Sequence, residues 1–331
     1  MQIINSRRLL FLVTVSAVLI VVVLAATVNK YHTVNKDPGL SFTEGFLWEA
    51  PDTSRIPLTD DGMLIRYGRD LIANTSYYLG PKGRVAAITN GMNCQNCHLD
   101  AGTRSWGNNY SAVFSTYPRF RERSGTVENI YKRVNDCIDR SLNGHPIDTM
   151  GREMQAISAY IIWLGQKVPR NIKPLAAGIR DLAFLDRSAD PIRGQAVYVQ
   201  KCQRCHGDDG QGLLNPDSIS YQYPPLWGKN SYNTGAGLFR MSRFAGYVRD
   251  NMPFDAPNNS APLTDEQAWD VAAFVNSQPR STKDYSKDYP NIAGKPIDHP
   301  VGPFKDNFSA EQHKYGPFDP IRLAKEKNKT K

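Results

Sequence analysis

The sequence predicts a mainly α fold: two small helical domains in tandem, an apolar segment before them and an irregular tail behind. Three observations carry this. The pentapeptides CQNCH (94–98) and CQRCH (202–206) place the same short pattern in each half of the chain. Each is preceded and followed by stretches with helix-like apolar spacing. After residue 280 that periodicity stops and Pro, Lys, Asp and Tyr dominate. The boundaries that follow are 1–36 for the leading segment, 41–178 and 182–281 for the domains, and 282–331 for the tail. At 331 residues there is chain enough for two such cores.

In the leading segment, Arg7 and Arg8 precede an uncharged run from Leu9 to Thr27. As a helix that run would span about 28 Å, close to the thickness of a hydrocarbon core. It reads as an uncleaved membrane anchor, with a cleaved signal as the alternative because LAA at 24–26 suits a peptidase. Either way the arginines stay in the cytoplasm and the remainder is exported, which puts the working part in the periplasm, tethered by residues 9–27 or free. No other stretch is apolar enough to span a bilayer. The formal charge of +8 suggests acidic partners or anionic small substrates, and export argues against nucleic acid.

C-x-x-C-H is the attachment sequence for c-type haem: two thiols spaced for thioethers to one porphyrin, and a histidine that reaches the iron. One copy could be half of a zinc site. Two copies in an exported chain with no spare cysteine pair point to two covalent haem c groups. Cys94, Cys97, Cys202 and Cys205 are then consumed, with His98 and His206 as proximal ligands. In the second half, residues 190–201 have helical spacing before the attachment site and glycines follow it. LTDEQAWDVAAFVNSQ (263–278) reads as an amphipathic closing helix with Thr264 as N-cap. This half resembles a class I cytochrome c domain. The first half repeats the plan more loosely, with IRYGRDLIANT (65–75) before its site and MQAISAYIIWLGQ (154–166) closing it. Residues 167–181 read as the linker, and the end of the tail (323–331) as a frayed terminus.

Haem irons that carry electrons usually hold two strong axial ligands. For the second haem the candidate is Met252, in RDNMPF (249–254), with Met241 as competitor; the carbonyl of Pro225 is the expected partner of His206. The first half has no comparable Met-Pro. Met150, Met154 and His145 lie near its closing helix, and the fifth cysteine, Cys137, remains. Read as a helix, residues 126–142 place Val127, Ile130, Tyr131, Val134 and Ile138 on one stripe, with Cys137 beside it. Arg133 and Ser141 stand one turn either side of Cys137, with Arg140 close by and Arg123 just before the helix. Guanidinium neighbours favour a thiolate and attract anions. The alternatives are a small buried cysteine on a solvated face, or His145 as the ligand.

With Cys137 in place, the chain resembles the dihaem thiosulfate dehydrogenase/tetrathionate reductase family over roughly 45–325. The specific segment is RFRERSGTVENIYKRVNDCIDRSLNG (119–144), supported by CQNCH, CQRCHG, NMPF and QHKYGPFDPI (312–321). The resemblance implies two class I cytochrome c-like domains and a first haem ligated by His98 and Cys137 as the active site. It implies that Arg123, Arg133 and Ser141 hold the sulfur anion. The implied reaction joins two thiosulfates to tetrathionate with release of two electrons, or runs in reverse, with a small periplasmic cytochrome as redox partner. Some members carry lysine immediately before the second methionine; here Asn251 stands there, so Met252 is expected to stay bound in both redox states. Two other functions fit the motifs: a non-catalytic dihaem electron carrier, and a sulfur-oxidation cytochrome acting on a carrier protein. A dihaem peroxidase is a weaker fit because it needs an open coordination site.

Overall fold

Each half of the molecule is organised around one helix packed on another. The computed structural model describes residues 46–254 and 263–329, all within one compact unit. The expected anchor at 9–27 lies outside the described residues, and no described helix is long and apolar enough to cross a membrane. In the first half, α1 (Asp60–Ala73) packs on α3 (Arg152–Gly165), with α2 (Ile130–Ser141) between them in sequence. In the second half, α4 (Pro191–Lys201) packs on α6 (Asp265–Ser277), which α5 (Met241–Asn251) also contacts. Two further helices, α7 (Ala310–Tyr315) and α8 (Asp319–Lys329), lie in the C-terminal region.

Local chemistry sets the helix starts. Thr59 accepts from Gly62 N at the head of α1, and Asp190 accepts from Ile192 N and Arg193 N ahead of Pro191 in α4. Thr264 caps α6 as expected and forms a reciprocal capping box with Gln267. The two helix pairs share one device. A Cβ on Gly68 would lie 1.9 Å from Ala156 O, and one on Gly194 would lie 1.9 Å from Asp270 O. Only glycine lets the backbones of α1 and α3, and of α4 and α6, approach this closely.

Three expectations are corrected, the start of the helix around Cys137, the extended tail and its frayed end. The helix expected over 126–142 starts at Ile130, capped by Asn129. Thr126–Glu128 is instead strand β2, paired antiparallel with β1 (Arg119–Arg121) in register Arg119↔Glu128. Val127 therefore leaves the predicted stripe and is exposed. A second two-stranded ribbon joins β3 (Leu213–Leu214) to β4 (Tyr221–Tyr223) after the second attachment site. The linker is packed: Ala176, Ala177 and Ile179 are buried, and Arg180 pairs with Asp250. The tail is not merely extended, and 323–329 is not frayed. Phe318 and Ile321 are 2% and 1% exposed, within the core of the second half, and Phe318 packs on Trp269 and Phe184. Asp288 clamps Arg140 of α2 through two hydrogen bonds of 2.8 Å. The tail thus straps one domain to the other.

Candidate functional site

Two cavities flank the attachment sequences and share a wall made by Asn93, Cys97, Tyr232 and Leu238. The first, about 250 Å³, is lined by Cys94, Cys97 and His98 on one side and by the α2 residues Arg133, Cys137 and Ser141. The second, about 440 Å³, is lined by Cys202, Cys205 and His206 and, from the end of α5, by Met252. Apolar side chains make up most of the remaining walls.

The histidines are oriented alike. His98 Nδ1 donates to Asn108 O at 2.6 Å and His206 Nδ1 donates to Pro224 O at 2.8 Å, which turns each Nε2 lone pair away from the backbone; that of His98 meets only a long contact, 3.5 Å, from Asn108 Nδ2. The backbone partner of His206 is therefore Pro224; the Pro225 carbonyl expected in that role accepts from Ser231 Oγ instead. Burial holds the His98 imidazole down to about 4, with the Arg133 charge adding to it, so the ring stays neutral at physiological pH. Burial also lowers His206. Two thiols, a neutral imidazole and a largely apolar cavity in each half fit covalent haem c.

The polar walls of the two cavities differ. Among the described residues lining the first are two arginines, Arg133 and Arg243, and no carboxylate. The second is lined by one acid, Asp100, and one base, Lys201. Arg133 is half-buried and makes no side-chain hydrogen bond or ion pair among the described residues. Its proton affinity is raised chiefly by the Cys137 sulfur, which faces the same space. Ser141 Oγ is equally uncommitted.

The other candidates separate cleanly. Met252 reaches the wall of the second cavity, whereas Met241 is 2% exposed in the core and does not line it. His145 and Met150 are exposed and Met154 is buried in the core of the first half, and none lines the first cavity. Arg123 is not brought to the cavity. Its Nη1 donates to Gly235 O at 2.6 Å and its Nε lies 3.9 Å from Asp288, because the tail supplies a buried carboxylate at this position. Arg140 is occupied by the same Asp288. Asn251 is buried, its Nδ2 donating to Trp106 O and Tyr247 O, and Tyr247 OH donates to Asn96 O beside the first attachment site. In the sequence Arg243 is one of two arginines in GLFRMSRFAGYV, far from CQNCH, and nothing local marks it as facing the first cavity.

Comparison with known proteins places these features in context. Residues 85–169 match the family described as SoxA/TsdA, cytochrome c domain, and residues 192–279 match cytochrome c. The chain is 33% identical over 244 residues to the thiosulfate dehydrogenase of Psychrobacter arcticus, covering 73% of this chain and 71% of that one. It is 38% identical over 197 residues to the thiosulfate dehydrogenase of Allochromatium vinosum, covering 58% and 71%. Among solved structures, the thiosulfate dehydrogenase (TsdBA) of Marichromatium purpuratum superposes with a TM-score of 0.64 at 30% identity. That alignment covers 71% of this chain, which spans half the length of the solved one.

Proposed function

We propose, for a chain that belongs to the thiosulfate dehydrogenase family, that the cavity around Cys137 is where two thiosulfates and one tetrathionate are interconverted. The chain is a dihaem c-type cytochrome and an oxidoreductase acting on sulfur compounds. The observation that carries the proposal is the asymmetry of the cavities. The first brings Cys137, Ser141 and Arg133, a guanidinium with no carboxylate partner among the described residues, to one wall, with Arg243 beside them held only by the exposed Asp181, an arrangement that suits sulfur dianions. The second, balanced in charge and faced by Met252, suits electron relay.

Haem c, held by Cys94, Cys97 and His98 and by Cys202, Cys205 and His206, would supply one-electron carriers for the two electrons exchanged. Cys137, lining the first cavity, and Met252, lining the second, would be the second iron ligands there. Arg133 holds sulfonate oxygens and Ser141 donates a hydrogen bond to them. In the reductive direction the Cys137 thiolate attacks a central sulfur of tetrathionate. The central S–S bond breaks, one thiosulfate leaves, and Cys137 carries a sulfonate-capped persulfide. Two electrons then break the bond between Cys137 and that group, releasing the second thiosulfate and regenerating the thiolate. Oxidation of thiosulfate is the reverse. The long apolar run at 9–27 supports a periplasmic location, where a small cytochrome would exchange the electrons.

The test is tetrathionate-dependent oxidation of reduced methyl viologen, and thiosulfate-dependent reduction of ferricyanide, by the parent and by Cys137→Ala. Turnover by the parent that is lost in the variant, with both haems still attached, is expected. A variant as active as the parent would overturn the role of Cys137, and an inactive parent would return the protein to the class of electron carriers.

A further inference from the structure

The substrate pair poses a charge problem that Arg133 alone does not solve. Tetrathionate is a dianion with a sulfonate at each end, and one guanidinium fork neutralises one end. Arg123, the other arginine suggested by resemblance, is turned to Gly235 O and Asp288. The remaining arginine that lines the cavity is Arg243, on α5 of the second domain. We propose that Arg243 is the second oxyanion-binding residue of the first cavity, so that the dianion is gripped from both domains, with Arg133 at one end and Arg243 at the other. This rests on the first cavity being the thiosulfate and tetrathionate site.

The surroundings of Arg243 fit that role. Its Nη2 donates to Asp181 Oδ1 at 2.5 Å, and the two side chains are 32% and 66% exposed. Such an open pair is weak and exchanges readily for a doubly charged ligand. The Arg140–Asp288 pair is the opposite case: bidentate, with side chains 12% and 7% exposed, it is locked. Other cations lie near Arg243. Lys173 lies in the combined field of Arg243 and Arg119, opposed by Asp181. Arg119 Nε is buried without a hydrogen-bond partner among the described residues. Asp181 acts here as a gate for Arg243: it holds the guanidinium at the rim until an anion competes for it.

The experiment is steady-state kinetics with thiosulfate and with tetrathionate on the holoprotein, for Arg243→Gln, Arg243→Lys and Asp181→Asn, with potentiometric titration of both haems. In Arg243→Gln the KM for both anions should rise on the order of tenfold, as expected when a charged hydrogen bond is lost. Arg243→Lys should fall between that variant and the parent, since a point charge replaces a fork. Asp181→Asn should lower KM, and the potentials should stay where they are. Should Arg243→Gln lose haem or fail to fold, Asp181→Asn decides: a lower KM supports the proposal and an unchanged KM overturns it. An unchanged KM in Arg243→Gln overturns it as well. If that unchanged KM comes with a shifted potential of the first haem, Arg243 belongs to a porphyrin carboxylate instead. A parent inactive towards both anions removes the premise and the proposal together, whereas an active parent with an indifferent Arg243→Gln removes only the proposal.

Discussion

Arg133 and Cys137 sit one turn apart on α2, and what distinguishes them from other basic and thiol groups is that the fold leaves them uncommitted. Arg123, Arg140 and Arg240 are each held by a buried carboxylate, Asp288 or Asp298, and are structural. Arg123, Arg133 and Arg140, spaced around Cys137, look equivalent in sequence, and partnering separates them. The two methionines of the second domain separate in the same way. Met252 follows the last turn of α5, its backbone N–H bonded to Val248 O, which delivers the side chain to the cavity. A thioether ligand raises the potential of a haem. Met252→Ala should therefore lower the second haem's midpoint by roughly a tenth of a volt or more, against about 0.8 V spanned by axial ligands in general. Potentiometric titration checks this, and an unmoved midpoint would point to another ligand.

At the scale of elements, the helix pairs were legible because their periodicity, caps and attachment sequences agree. Thr264, Asp190 with Pro191, and the apolar face of α6 each announce a boundary. The start of α2 was not legible. Val127 continues the apolar spacing of the helix behind it, but pairing of Phe120 with Val127 draws Thr126–Glu128 into a hairpin. A cross-strand partner outcompetes helical spacing here, and periodicity does not record partners. The close contacts of Gly68 and Gly194 make a prediction at this scale. Gly194→Ala and Gly68→Ala should each destabilise their own domain by on the order of 3 kcal/mol, since a backbone oxygen has nowhere to move. Chemical denaturation of the holoprotein, followed by tryptophan fluorescence and the haem bands, reads this out. A change below about 1 kcal/mol would mean that the helix pairs slide apart easily.

Over the whole molecule, the C-terminal tail is a structural strap. It buries Phe318 and Ile321 in the second domain, pairs Asp288 with Arg140 of the first, and pairs Lys283 with Asp139. His299, 3% exposed, lies within it against Tyr285 and Tyr289. Burial, with the charges of Lys295 and Arg123, lowers its pKa from 6.5 to about 4. The released tail binds a proton below 6.5 that the packed tail refuses until about 4, so packing weakens as pH falls through that window. The loss amounts to at most about 3 kcal/mol. Hydrogen exchange, corrected for intrinsic rates, should show residues 282–329 opening at pH 5 relative to pH 7 while α4 and α6 stay protected. Equal protection of the tail at both values would show that His299 does not govern it.

The sequence by itself determined the two C-x-x-C-H pentapeptides with the histidine that ends each, the pairing of an opening and a closing helix in each domain, and Cys137 as the odd thiol beside arginines. These depend on residue type and short spacing, which the chain carries wherever it goes. Only the tertiary structure decided which arginines are free, that the tail binds both domains, and that Arg243 of the second domain completes the wall of the first cavity. Those outcomes depend on which distant carboxylate or carbonyl arrives beside each side chain. That is a property of packing between segments more than a hundred residues apart, such as Arg123 and Gly235 at a separation of 112.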